Sequence, residues 1–412
     1  MPHRSAVPRE VWVLVAASFV IALGYGIVAP VLPLYAQRFG VGNTEISAVV
    51  SVFAAMRLIF APASGWLVQR FGEKHIYISG LLIVAISTGA CAFAGEYWQL
   101  VALRAVAGIG STMFTVSAMG LLIRISPASM RARISSLYSG SFLIGGVAGP
   151  ILGALAAPFG LHAPFVIYAI ALFAACAVVA LALGRVQVPV GTEPGGVAGT
   201  GVDVRPVLTL AAAWARKPYR AAVAANFANG WTAFGVRVAL VPVVMAAFFP
   251  GTASAAALAL TTFALGNAAI ILPAGRWSDR YGRRPFIIGG MALAGVATAL
   301  FGFADNLVIS LILCAIAGVG TGLCAPSQQA VVADVVGRHH RGGPVLATFQ
   351  MVSDLGAVIG PLVIGALADL VGFGPAFAVT GALLVLGAIV WTFTPNEPER
   401  TETGAIDVVP RV

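Results

Sequence analysis

Apolar runs dominate this chain, and their lengths leave few folds open. Runs near residues 11–35, 46–68, 76–94, 98–122, 134–157 and 164–184 are followed by six more near 220–248, 254–274, 286–304, 307–335, 344–368 and 376–394. At 1.5 Å of rise per residue each is long enough, as a helix, to cross a hydrocarbon layer of ~30 Å. Helices are expected because a segment in lipid must satisfy its own backbone N–H and C=O groups. Composition agrees: 59% of residues are hydrophobic and 9% charged, too few charges to cover a soluble surface of this size. The first run is too long for the apolar core of a signal peptide, and no convincing cleavage site follows it. It therefore reads as an uncleaved span. The expected fold class is an all-α membrane protein with twelve transmembrane helices.

Charge placement sets the expected orientation. Arg and Lys gather after even-numbered spans: Arg70 and Lys74; Arg124, Arg131 and Arg133; Arg185, Arg205, Arg216, Lys217 and Arg220; Arg276, Arg280, Arg283 and Arg284; Arg338 and Arg341. The opposite loops hold only Arg38. Both termini are therefore expected in the cytoplasm, with the protein in the bacterial inner (plasma) membrane. The net charge of +9 does not argue for nucleic acid, because the bases lie in short clusters between apolar runs. The four cysteines, Cys91, Cys176, Cys314 and Cys324, fall inside apolar runs and read as small buried hydrophobes, not as a disulfide framework or a metal site.

Residues 185–219 are the longest break. Val190 to Gly201 is rich in Gly and Pro and reads as flexible. Beyond it Val207, Leu210, Ala211 and Trp214 recur at helical spacing, leading into Arg216 and Lys217. Two readings stay open: an amphipathic helix on the cytoplasmic leaflet, or an ordinary linker. The tail from Pro395 is polar and is expected to be disordered. The division is 1–184 and 220–394 as two six-helix bundles, 185–219 as linker, and 395–412 as tail.

The two bundles are related by a repeat. Gly275-Arg276-Trp277-Ser278-Asp279-Arg280-Tyr281-Gly282-Arg283-Arg284 has a partner 210 positions earlier, Gly65-Trp66-Leu67-Val68-Gln69-Arg70-Phe71-Gly72-Glu73-Lys74. The same offset relates Ala107–Gly110 to Ala317–Gly320, and offsets of 211 and 209 relate Gly149-Pro150 to Gly360-Pro361 and Gly26 with Pro33 to Gly235 with Pro242. Near-constant offsets over four pairs of spans point to internal duplication.

The pattern G-x-x-x-D-R-x-G-R-R at Gly275–Arg284 closely resembles the loop signature of the major facilitator superfamily. The first copy departs from it by having Gln69 in place of Asp. The resemblance implies two pseudo-symmetric six-helix bundles with a midplane site between them. It also implies that Gly65, Gln69, Arg70, Gly72, Lys74, Gly275, Asp279, Arg280, Gly282, Arg283 and Arg284 belong to loops that latch the cytoplasmic side. Asp279 is expected to face the start of span 5, near Arg131 and Arg133, where a helix N-terminus stabilises a carboxylate by ~0.3–1 kcal/mol. Leu100–Gly108 resembles the family's span-4 motif, whose arginine, here Arg104, is linked to proton coupling; its counterpart in the second half is Cys314, so only the first half carries this Arg. Gly145, Gly149, Pro150 and Gly153 resemble the glycine-proline motif of exporters in the drug:proton antiporter group. Gly360 and Pro361 repeat it, so helix packing explains part of the pattern.

Charges deep in the spans are few. Arg57, Arg104 and Arg237 are the bases, and Asp354 is the one deep acid, since Asp334 and Asp369 lie near span ends. Such residues face the bundle interior or a partner. Arg57 and Asp354 are expected at similar depth on spans 2 and 11 and are read as an ion pair across the seam, with Arg57, Arg104 and Asp354 as proton-coupling candidates. Tyr25, Asn229, Trp231, Thr232, Arg237, Gln328 and Gln329 are cavity candidates, with interhelical packing the alternative for each. The glycine-rich turns lack a P-loop lysine, so ATP is not the expected energy source, and no enzyme constellation or cofactor site is seen. His339-His340 reads as a solvated pair in a basic loop. The expected function is proton-coupled export of a small amphipathic molecule by a monomer in the lipid bilayer. The rivals are an importer or facilitator of a neutral or anionic metabolite, and a non-transporting sensor that kept the fold.

Overall fold

The computed structural model describes residues 8–125, 130–156, 159–183, 206, 208–250, 252, 254–337 and 342–394, and every regular element among them is helical. Span 1 is α1 (Arg9–Val28) followed by the short α2 (Leu32–Gln37). Spans 2 to 6 are α3 (Asn43–Phe71), α4 (Glu73–Cys91), α5 (Tyr97–Ile125), α6 (Arg131–Ala156) and α7 (Ala163–Leu183). After α8 (Leu210–Trp214), span 7 joins α9 (Lys217–Asn229), a π-helical stretch (Gly230–Val236) and α10 (Arg237–Phe248). Spans 8 to 12 are α11 (Ala255–Tyr281), α12 (Arg283–Phe301), α13 (Leu307–Val336), α14 (Gly343–Val371) and α15 (Phe373–Thr392). Eleven of the twelve are long and apolar enough to cross a membrane. The twelfth, α6, carries the shorter apolar stretch Leu137–Gly153 among its described residues. Arg9 and Thr392 lie on one side of the array, the terminal side; Asn43 and Asp369 lie on the distal side.

Three features differ from the sequence reading. Span 1 does not run unbroken from 11 to 35. It stops at Val28 and restarts at Leu32, since Pro30 lacks an N–H to continue the ladder and Pro33 sits in the first turn of α2. The repeated motif is not a loop. Gly65 to Phe71 and Gly275 to Tyr281 are the last turns of α3 and α11, and a single residue reverses the chain in each case. Those residues are Gly72 (φ 81°) and Gly282 (φ 90°), a conformation that a Cβ would oppose. Of the linker, α8 is helical, five residues capped by the Thr209 hydroxyl, and α9 already begins within it at Lys217; 184–205, Val207, His339-His340 and the tail from 395 lie outside the described residues.

Within each half the helices cross on glycine. A Cβ on Gly80 would lie 2.7 Å from the Gly110 carbonyl oxygen, and one on Gly290 would lie 2.6 Å from that of Gly320; both members of the second pair are 210 positions on. Spans 1 and 5 meet where Gly26 and Gly149 stack backbone on backbone, with Pro150 against Gly26. Pro361 lies against Gly235 in the same way where spans 7 and 11 meet. Gly145 and Gly153 face span 1 at the carbonyls of Phe19 and Ile27, and Gly360 seats Trp231. The glycine-proline residues thus do packing work in both halves, letting backbones approach so that dispersion replaces the hydrophobic drive that lipid removes. Between the halves, span 2 packs against span 11 and span 5 against span 8.

The sequence also hid a pair of equivalent ion pairs. Glu73 at the start of α4 binds Arg124 at the end of α5 at 2.8 Å. Arg283 and Asp334, again 210 positions on, bind at 2.5 Å with the signs reversed. Each ties consecutive helices together on the terminal side.

Two glycines in α6 separate packing from propensity. Gly149→Ala would bring a Cβ within 2.6 Å of Gly26 backbone and of the Leu23 carbonyl, whereas Gly146 faces open space. Gly149→Ala is expected to cost about 1–3 kcal/mol by overpacking. Gly146→Ala is expected to stay within about 0.5 kcal/mol of the parent. Thermal unfolding of the two purified variants in detergent reads the difference; equal melting would reject the crossing as a determinant of stability.

Candidate functional site

On the distal side one carboxylate closes the seam. Asp369, in the last turn of span 11, accepts hydrogen bonds from the backbone N–H groups of Asn43 and Thr44 at 2.9 Å each. It also accepts from the Asn43 amide at 2.8 Å and the Thr44 hydroxyl at 2.6 Å. Those N–H groups open α3 and have no partner inside their own helix. The aspartate therefore satisfies helix ends and lies at the positive pole of the helix dipole. Four residues before it, Gly365 packs on Ser47 and the Asn43 backbone, where a Cβ would lie 2.6 Å from the serine oxygen. Among the described residues these are the hydrogen bonds that join the two halves. Position alone marks Asp369 only as a span-end residue; the Asn43-Thr44 pair opening a span is the signal the sequence carries.

The terminal side is parted. Gly65, Gly72, Gly275 and Gly282 all face open space, and Trp66, Phe71, Trp277 and Tyr281 are exposed. Asp279 is 70% exposed, and its ionic neighbour among the described residues is Arg283, 3.8 Å away across the Gly282 turn. The side chains of Arg131 and Arg133 lie outside the described residues. Arg70 and Arg280 lie over the aromatic rings beside them, and Arg284 donates to the carbonyls of Trp391 and Thr392, tying span 9 to span 12. Among the described residues no hydrogen bond or ion pair of Gln69 or Lys74 crosses the seam.

Between the two sides lie the deep charges. Spans 2 and 11 run antiparallel from the Ser47–Gly365 contact. Ten residues on from Ser47 is Arg57, and eleven back from Gly365 is Asp354, both ~15–17 Å along their helices. The groups acting electrostatically on Asp354 are Arg57 and the Gln350 side chain one turn away. Among the described residues Arg57 and Asp354 form no contact ion pair, although the Arg57 charge acts on Asp354 across the seam. The Arg57 carbonyl accepts from Thr112 of span 4 at 2.9 Å.

Arg104 is 5% exposed and stacks on Phe53 of span 2, 4.4 Å from the ring centre. Arg237 follows the π-helical stretch, donates to the Ala233 carbonyl, and lies 3.1 Å from the centre of the Phe263 ring of span 8. Arg237 and Thr232 line a cavity of about 30 Å³ with Val236, Phe263, Cys314 and Phe377. Tyr25 is 37% exposed and within electrostatic reach of both Arg104 and Arg237. Of the other cavity candidates, Gln329 is exposed, Asn229 and Gln328 are buried, and Trp231 is packed on Gly360. All four cysteines are buried and free.

The sequence matches the Major Facilitator Superfamily over residues 14–235 and 222–410. One stretch is 31% identical over 165 residues to a tetracycline resistance protein, class H, of Pasteurella multocida, covering 39% of this chain and 41% of that protein. A stretch of 157 residues is 29% identical to the quinolone resistance protein NorA of Staphylococcus aureus, covering 38% of this chain and 40% of that protein. The match spans about two fifths of the length of these curated relatives. In fold, the chain is similar to the nucleoside transporter NupG, with a TM-score of 0.73, 14% identity, and 93% and 98% of the two chains covered. It is equally similar to a bacterial homologue of the human lysosomal transporter Spinster in an inward-facing, occupied conformation, with a TM-score of 0.73, 14% identity, and 96% and 97% covered. At these identities the likeness is one of fold.

Both gates can be tested. Asp369→Asn is expected to raise distal opening about fivefold, the worth of an exposed charge-assisted helix cap. A reporter cysteine at Ala256, on the distal face, reads it by maleimide labelling rate; an unchanged rate would reject the gate. Asp279→Asn should leave thermal stability within about 0.5 kcal/mol, since exposed ion pairs are weak. It should nevertheless cut transport more than Gln69→Ala does, because only the second motif copy has the acid. A larger loss from Gln69→Ala would reverse that assignment.

Proposed function

The chain belongs to the major facilitator superfamily, a family of membrane transporters and not of enzymes, and from that premise we propose that it is a proton-coupled exporter of a small amphipathic molecule. The two bundles, 1–184 and 220–394, rock about the midplane to expose one site to each side in turn. The linker 185–219 joins them, and the terminal side with the 395–412 tail is cytoplasmic, as the arginine distribution indicates. The protein acts as a monomer in the inner membrane, facing the cytoplasm in the conformation described.

The observation that carries proton coupling is the placement of Asp354. It is the only acid remote from a span end, and the Arg57 charge acts on it from the other half. In the state closed on the terminal side the two helices converge and the pair forms; an unpaired charge there would be expensive. A proton on Asp354 removes the attraction and lets the halves part. The direction, export, rests on the resistance proteins among the relatives and on the glycine-proline residues of span 5.

Proteoliposomes loaded with a panel of candidate substrates, with and without a pH gradient, test the reading. Gradient-driven transport is expected from the parent, and Asp354→Asn should reduce it to the level of empty liposomes while substrate binding persists. Gradient-driven transport by Asp354→Asn at the parental rate would reject Asp354 as the proton carrier.

A further inference from the structure

Phe53 and Phe263 are equivalent residues of the two halves, 210 positions apart, on spans 2 and 8. Gly108 packs on the carbonyl of the first and Gly318, again 210 on, packs on the carbonyl of the second. Each ring has a guanidinium over its face, Arg104 in one half and Arg237 in the other. The arginines are not themselves equivalent. The counterpart of Arg104 on span 10 is Cys314, and Arg237 reaches that same place from span 7, lining one cavity with Cys314 and Phe263. The sequence therefore gives only the first half an arginine at this point, while the structure gives one to both.

Among the described residues neither guanidinium meets a carboxylate. The groups acting on Arg104 are Cys91, Tyr25 and Tyr168, and those acting on Arg237 are Cys314 and Tyr25, thiols and phenols that carry no charge near neutrality. Arginine keeps its charge in such places, and an unpaired buried charge is costly. The aromatic faces offset part of that cost, but they cover a face of each guanidinium and leave its N–H edge. Arg104 Nε has no hydrogen-bond partner, and among the described residues the Arg237 side chain donates to its own helix, at the Ala233 carbonyl. Asp354 does not serve, since it answers to Arg57 and Gln350. Tyr25 is the one residue within reach of both arginines, and it is exposed.

We propose that this is the substrate's anionic subsite: a carboxylate of the transported molecule binds between Arg104 and Arg237, with the Tyr25 hydroxyl as a further donor. A planar guanidinium fork matches a carboxylate in geometry as well as charge. Beside Arg104 the Tyr25 and Phe53 rings lie 6.4 Å apart and neither is fully buried, so the rest of the ligand meets aromatic surface. The substrate class is thus amphipathic organic acids, and organic cations are rejected. Because the two arginines belong to different halves, the bound carboxylate also couples them. The inference rests on the transporter reading but not on the direction of transport or on protons.

Equilibrium binding to the full chain in lipid nanodiscs, without any gradient, tests it independently of coupling. The probes are naphthoate, its methyl ester and naphthylmethylamine. Saturable binding of naphthoate at least about tenfold tighter than the ester is expected, with none for the amine. Arg104→Gln and Arg237→Gln should each abolish that preference, and Arg237→Lys should keep part of it, since charge remains but the fork is lost. Monodisperse elution identifies folded variants; if Arg104→Gln fails there, Arg237→Gln and Tyr25→Phe carry the comparison. Equal or tighter binding of ester or amine, an unchanged preference in the Gln variants, or no saturable naphthoate binding would overturn the proposal. Loss of proton-driven transport in Asp354→Asn with this preference intact would leave it standing.

Discussion

A carboxylate from one half of the molecule caps a helix of the other, and the shape of the transport path depends on that contact. Asp369 supplies charge to the N–H groups that open span 2, groups that no residue of their own helix can satisfy. With that end fixed, spans 2 and 11 stay together on the distal side and diverge toward the terminal side. On the terminal side Gly65, Gly72, Gly275 and Gly282 face open space. An exposed cap of this kind is worth little more than thermal energy. That suits a gate, which must hold and release within the same cycle.

The halves share their geometry while their charges are redistributed. Glu73–Arg124 and Arg283–Asp334 occupy equivalent places with opposite signs. Such pairs need opposite charges at a given distance, and either polarity meets that need. The guanidinium groups over Phe53 and Phe263 show a second freedom: the same group reaches equivalent positions from span 4 in one half and span 7 in the other. Backbone crossings have no such freedom. Where Gly80 meets Gly110 and Gly290 meets Gly320, only the absence of a side chain lets the helices approach, so the residue type recurs at a fixed offset.

That difference explains what could be read in the candidate site. The glycine and proline residues of spans 5 and 11 were legible because their role is local and steric. Arg57 and Asp354 could be matched in depth because helical rise is constant and the antiparallel register follows from it. The repeated motif was visible, but its form was not, since helix and loop differ there by the φ of one glycine. Asp369 is not legible as a site residue, because position near a span end says nothing about which helix end lies opposite. Arg237 appeared as one charge among three; nothing in its neighbours along the chain points to Phe263 or Cys314.

The sequence alone determined the class of fold, the number of spans, the duplication and the expected sidedness. Each follows from properties summed over a segment: hydrocarbon thickness sets span length, backbone satisfaction requires helix, and charge is sorted by side. Only the tertiary structure decided which side is closed, which residue closes it, where span 1 breaks and span 7 loosens into a π-helical stretch, and which side chains meet. Those outcomes depend on single contacts between residues hundreds of positions apart, such as Asn43 with Asp369. Their energies of about 1 kcal/mol arise only once the helices are in place.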